Sequence, residues 1–240
     1  MKELQMGVSD FIVRLIFPPK CIFCSELIDR RSEIEICEKC FSKIPFVTDQ
    51  KVFIKKFMRG VEPDSMWLDS ITCICEYKGI IKEAIIKYKY FGKYSYHRAF
   101  AFLMAKKLEV IKNSSEHDII ISVPLHKKRE KVRGYNQSFL ISSKLSKITG
   151  IPERSLVLER MRYTNTQSLL HRDERYLNVK DAFKVNNEKE VENKVVLLID
   201  DVVTMGYTLN ECSKALKKAG ATKVHALVIA AAVSNIEESS

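Results

Sequence analysis

What this 240-residue chain lacks most plainly is a long hydrophobic run. A membrane-spanning helix needs ~18 or more consecutive apolar residues, and nothing here approaches that. The apolar stretch at 11–17 is interrupted by Arg14. It follows Lys2 and Glu3 with no small-residue cleavage site, so no secretory signal is expected. Internal repeats and low-complexity tracts are missing too, which excludes repeat-built architectures. Nor is the chain short of apolar residues: 46% are hydrophobic against 29% charged, which rules out a long disordered chain. The length suits one sizeable core with a small appended module, or at most two domains. A soluble, cytoplasmic protein without membrane insertion is expected.

Charge is present in excess and unevenly placed. Lys and Arg number 40 against 30 Asp and Glu, a net of +10. Residues 78–133 hold 14 basic and 5 acidic groups, whereas 181–240 come to −2. A basic middle suits nucleic acid, a phosphorylated small molecule, or solubility alone. Composition does not choose among them.

Cys21, Cys24, Cys37 and Cys40 form two Cys-x-x-Cys pairs with 12 residues between them. Two intervening residues turn both thiolates of a knuckle onto one ion, and two knuckles complete a tetrahedral set. The segment between is polar and cannot build its own core, so a structural Zn2+ would supply the missing stability. Disulfides are disfavoured in a reducing compartment, and thioredoxin-like pairs do not normally come twice this close. Cys73 and Cys75 alternate with Ile74 and Glu76 along a strand, so both are expected on one face as buried thiols. Cys212 reads as helix packing beside Leu209, Ala215 and Leu216.

Periodicity beyond residue 70 predicts strands at 71–77, 118–123, 156–158, 195–199 and 224–230. Helices are expected near 80–91 (Ile81, Ala84, Ile85 and Tyr88 inward), 97–112, 136–149 and 208–219, the last closed by Gly220. Strands alternating with helices imply an α/β fold on a parallel sheet.

The strand at 195–199 runs directly into Asp200 and Asp201, followed by a turn carrying Thr204, Gly206 and Thr208 at a helix start. A buried strand ending in paired carboxylates sits at the edge where open α/β sheets bind ligands. The helix N-terminus favours phosphate, and Gly206 permits close backbone approach. This pattern suits a sugar phosphate, with the aspartates accepting from ribose hydroxyls. The bland reading is an N-capping turn after an acidic strand end, and adjacent buried like charges make it strained.

These residues resemble the phosphoribosyl-diphosphate signature of type I phosphoribosyltransferases. Met205 departs from that signature, which has a small residue there, often a hydroxyl donor. Two further stretches, Ser122-Val-Pro-Leu-His-Lys-Lys-Arg129 with Arg133-Gly-Tyr-Asn-Gln-Ser138, and Arg162-Tyr-Thr-Asn-Thr-Gln167, resemble the ComF family of competence-associated proteins. So does the cysteine module entered through Leu15-Ile-Phe-Pro.

The resemblance implies a type I phosphoribosyltransferase fold, a mostly parallel sheet flanked by helices, with a small N-terminal four-cysteine zinc ribbon. The expected division is a helix and ribbon at 1–60, a linker at 61–70, the transferase domain at 71–235 and a tail at 236–240. Asp200 and Asp201 would bind ribose and Mg2+, and Thr204, Met205, Gly206, Tyr207 and Thr208 the 5-phosphate. Lys127, Lys128, Arg129 and Arg133 would form the pyrophosphate loop, oriented by Asn136 and Gln137. Guanidinium groups grip phosphate bidentately. His126 in that loop reads as incidental more than as a proton donor. Arg160, Arg162, Thr164, Gln167 and Arg175 would belong to a flexible loop closing over the site, with a solvated hairpin as the bland alternative.

Two functions follow from the resemblance. One is a phosphoribosyl-diphosphate-binding protein of DNA uptake that also binds single-stranded DNA, with competence-machinery proteins as further partners. The other is a phosphoribosyltransferase of nucleotide metabolism with no DNA role. Lys82, Lys87, Lys89 and Lys93 lie on or beside one helix among tyrosines, and basic groups beside aromatics suit single strands. The residues name no acceptor substrate and no catalytic side chain.

Overall fold

The computed structural model describes residues 17–30, 32, 34–48, 65–111, 116–162, 177 and 179–232. The expected N-terminal helix, Thr164, Gln167, Arg175 and the boundaries at 60 and 235 lie outside the described residues.

Four strands form one parallel sheet: β1 (Ser70–Glu76), β2 (Ile119–Ser122), β5 (Val195–Val203) and β6 (Lys223–Ala231), in the order β1-β6-β5-β2. Val196 and Leu198 of β5 face one apolar cluster, and Leu197 and Ile199 face the other. A strand covered on both faces needs apolar residues at every position, as this run supplies. Helices α2 (Gly79–Tyr90), α3 (His97–Val110) and α5 (Gln137–Thr149) pack on one face, and α6 (Tyr207–Lys218) on the other. The inward set of α2, Ile81, Ala84, Ile85 and Tyr88, is fully buried at the expected i, i+3, i+4, i+7 spacing.

The cysteine module joins the α2–α3 side. Ile22, Ile36 and Ile44 share a cluster with Phe100 and Tyr96, and Glu35 pairs with Arg98 at 2.6 Å. A four-residue helix, α1 (Glu38–Phe41), carries Cys40. Residues 45–47 then run antiparallel to the β1 edge, where the Val47 N–H donates to the Ile74 carbonyl and the Glu76 N–H to the Pro45 carbonyl. The described part of the expected linker is pinned: Asn210 of α6 accepts from the Trp67 and Leu68 N–H groups and donates to the Ser65 carbonyl.

Two expectations change. Residues 127–133 are a short helix, α4 (Lys127–Arg133), instead of a loop. His126 caps its start by accepting from the Lys128 N–H, and Gly134, at φ 82°, ends it in the left-handed conformation. The expected strand at 156–158 begins as a 3-10 turn, Ser155–Val157, with Ser155 drawn onto the Glu153 carboxylate. Strand β3 (Leu158–Arg160) follows and pairs antiparallel with β4 (Phe183–Val185), outside the main sheet. Cys73 and Cys75, i and i+2 on β1, are both wholly buried, as expected. Burial pushes both thiols up to about 12, as inert packing thiols.

Candidate functional site

Strand β5 continues through the two aspartates to Val203, so the carboxylates sit within the last turns of the parallel ladder. Asp200 is opposite Val228 in register. Its Oδ1 accepts from the Ser138 hydroxyl at 2.8 Å and from the Asp201 backbone N–H at 2.9 Å. Burial, with the Asp201 charge alongside, pushes the Asp200 carboxyl up to about 7 against the pull of Lys89 and Ser138. Asp201 is 5% exposed, and its Oδ1 meets the Lys89 ammonium at 2.7 Å. Two adjacent carboxylates, Asp200 half-buried and Asp201 buried, need partners, and the chain provides one from each of two helices.

The following turn is built as its residues suggest. Gly206 has φ 73° at the N-cap of α6, a conformation that favours glycine. No side chain caps this end by hydrogen bond, and the first-turn N–H groups of a twelve-residue helix face the region beyond β5. Thr204 and Thr208 are half-buried, Tyr207 is buried, and Met205 packs against the apolar cluster on the α6 side.

On the α4–α5 side, Asn136 caps α5, accepting from the Ser138 and Phe139 N–H groups while donating to the Val123 carbonyl. That cap sets Ser138 on Asp200. Arg133 donates to Gln137 Oε1 at 3.1 Å and lies over the Tyr90 ring at 5.1 Å. Lys127 pairs with Glu159 at 2.7 Å. Of the flexible-loop residues within the described chain, Arg162 donates to the Lys180 carbonyl. Arg160 is 7% exposed, with its guanidinium over the Phe183 ring at 5.3 Å. Burial lowers its pKa, as does the nearby charge of Arg129, while Asp200 opposes this.

The four expected DNA lysines divide. Lys82 and Lys93 are exposed and Lys87 is half-buried. Lys89 is a correction: its ammonium turns inward to Asp201 and is not part of an outward basic face. Tyr88 is wholly buried, whereas Tyr90, Phe91 and Tyr94 are exposed. Sequence reasoning missed Lys89 and Ser138 as partners of the dyad. Ser138 carried one signal, its place in the quoted Tyr-Asn-Gln-Ser stretch; Lys89 carried none.

The second cluster is the ribbon. The four Sγ atoms of Cys21, Cys24, Cys37 and Cys40 all lie within 4.8 Å of one another, with Cys24 and Cys37 at 3.7 Å. Ligands at the usual Zn–S distance of about 2.3 Å in a tetrahedron are about 3.8 Å apart, so the four residues fit zinc. Burial and the neighbouring thiols push Cys40 up to about 12. At Cys21, backbone N–H groups outweigh burial and draw the thiol down to about 7. Four thiols sharing one site cannot ionise together without a cation.

Family comparison matches residues 136–240 to the phosphoribosyl transferase domain and residues 12–51 to the double zinc ribbon domain. Competence protein F of Haemophilus influenzae is 29% identical over 215 residues, covering 85% of this chain and 93% of that protein. Competence protein ComFC of Bacillus subtilis is 28% identical over 157 residues, 65% of this chain and 62% of that one. The DNA utilization protein YhgH of Escherichia coli O157:H7 is 39% identical over 107 residues, 45% of this chain and 46% of its own length. No helix among the described residues is long and apolar enough to cross a membrane. With a four-cysteine cluster ahead of a parallel phosphoribosyltransferase sheet, the chain is similar to the competence proteins of the ComF family.

Proposed function

We propose that the carboxyl edge of the sheet binds phosphoribosyl diphosphate with Mg2+, and that the protein serves the handling of DNA in uptake or utilisation, binding single strands. The observation that carries this reading is the carboxylate pair at the end of a buried parallel strand, directly before an uncapped helix N-terminus. Asp200 and Asp201 accept from ribose hydroxyls and hold the Mg2+ that neutralises diphosphate charge. Residues 204–208 take the 5-phosphate through backbone N–H groups and the threonine hydroxyls. Met205 supplies no side-chain donor, so its backbone alone contributes. Lys127, Lys128, Arg129 and Arg133 of α4 supply positive charge for the diphosphate, with Asn136 and Gln137 orienting this side. The family resemblance assigns Arg162, with Thr164, Gln167 and Arg175 outside the described residues, to a loop that would exclude water from the ligand. Positioning and charge complementarity supply the chemistry, with no covalent nucleophile.

Calorimetry with phosphoribosyl diphosphate and Mg2+ should give saturable heat that Asp200→Asn/Asp201→Asn loses. Equal heat from both proteins, or none from the wild type, rejects the sugar-phosphate site. The names of the relatives, competence protein and DNA utilization protein, support the DNA role. For this chain the supporting surface is Lys82, Lys87 and Lys93 beside the exposed Tyr90, Phe91 and Tyr94. Single-strand affinity should fall with salt, and the slope should flatten when the three lysines become Gln. An unchanged slope removes that surface, leaving the reading of a transferase without a DNA role.

A further inference from the structure

We infer that Lys89 is a positioning residue of the sugar-phosphate site, a counter-cation carried by the chain itself; this rests on the proposed phosphoribosyl-diphosphate reading. Lys89 lies in the last turn of α2, where the helix dipole favours a cation. That turn is locked on both sides of it. The Tyr88 hydroxyl donates to the Gln137 carbonyl at 2.8 Å, and the Tyr135 hydroxyl donates to the Tyr88 carbonyl. Tyr90 is held against Arg133. The ammonium is therefore delivered to Asp201 by a fixed piece of backbone, 2.7 Å from Oδ1, with only 20% of the lysine side chain and 8% of the aspartate side chain exposed.

The consequence is electrostatic. Asp200 and Asp201 alone present two like charges to a ligand that is itself a polyanion. Lys89 removes one of them and fixes the direction of the Asp201 carboxylate. The same cation repels a free divalent metal from the dyad. The site thus takes its metal with the diphosphate rather than in advance, and tolerates the ligand better when no metal is present.

This predicts effects of opposite sign, which a merely structural lysine would not produce. In full-length Lys89→Met, Mn2+ alone, titrated by electron paramagnetic resonance, should bind about tenfold more tightly than in wild type. Phosphoribosyl diphosphate in EDTA, titrated by calorimetry, should bind about tenfold more weakly. Lys89→Arg keeps the charge and should behave as wild type in both titrations. If Lys89→Met leaves both affinities unchanged, or weakens both together, the inference is overturned. A wild-type protein that binds no phosphoribosyl diphosphate at all fails the underlying reading instead. Should Lys89→Met not fold, lysine Nζ resonances of the wild type, assigned through Lys89→Arg, decide the matter. The Lys89 signal should shift with phosphoribosyl diphosphate and not with an oligonucleotide. The reverse would return Lys89 to a DNA surface and overturn the inference.

Discussion

The ribbon and the carboxyl edge of the sheet set the same problem and solve it differently. Each gathers groups that become like charges: four thiols in one case, two carboxylates in the other. The ribbon has little apolar material of its own and relies on an ion from solution. The dyad sits in a sheet that is already covered on both faces, and its neutralising cation comes from α2. A cluster built on a self-supporting core can be balanced from within. One built on a short polar loop has to import its balance.

The sharpest way to break this comparison is to remove the metal. Elemental analysis should find one zinc per chain, and none in Cys37→Ser/Cys40→Ser. Structural zinc contributes an apparent free energy of about 10–16 kcal/mol in small metal-dependent folds, so residues 17–48 should lose order altogether. Amides of β5 and β6 should keep their protection against hydrogen exchange. Loss of protection throughout the sheet would mean that both regions depend on the ion, and the contrast would disappear.

Next in size is the pair within the sheet. Asp201→Asn leaves Lys89 buried without its carboxylate, at a cost of about 3–5 kcal/mol for a broken buried pair. Urea unfolding should show this loss, and Lys89→Met/Asp201→Asn should recover most of it. If the single and double variants are equally unstable, the pair is not what balances the dyad. Ser138→Ala should cost less, about 1–3 kcal/mol, because Asp200 keeps the Asp201 N–H as a donor.

The smallest effect sharpens the contrast from the other end of the sheet, where two histidines meet among charges of both signs. His117 Nε2 and His225 Nδ1 are 3.1 Å apart. Burial lowers the His225 pKa, as do Lys223 and Lys217, against Asp69 and Glu116. A folded-state pKa below the unfolded value of 6.5 stabilises the protein above that pH, and the contribution is lost as pH falls through the folded value. Urea midpoints should therefore drop between about pH 7 and pH 5, and His225→Asn should flatten that slope. An unaltered slope would place the acid sensitivity elsewhere.

What could be read from the residues follows the same division. Five apolar residues before Asp200 and Asp201 fix a buried strand end, and the cysteine spacing fixes a metal cluster, because both are local patterns. Lys89 sits with Lys82 and Lys87 on a helix, and near Lys93 just beyond it, where the polar residues all look solvent-facing. Only the packing of α2 across the sheet edge turns it inward, and no local period encodes that. The α4 segment reads as a loop because Lys127 to Arg133 bury nothing, so it has no apolar period. Its signals were the cap at His126 and the stop at Gly134. Cys73 and Cys75 follow strand alternation, a local pattern, and both are buried as it implies.

The antiparallel contact of residues 45–47 with β1 has a consequence for solubility. An open edge strand is a template for pairing with another copy, and hence for aggregation. Here the chain following the ribbon occupies the β1 edge, while Glu153 bridges to Ile120 at the β2 edge. The N-terminal module is therefore also a hem on the sheet. A fragment cut after residue 48 would carry Ile74 and Glu76 with their backbone groups bare, and would tend to seek a second strand from its neighbours.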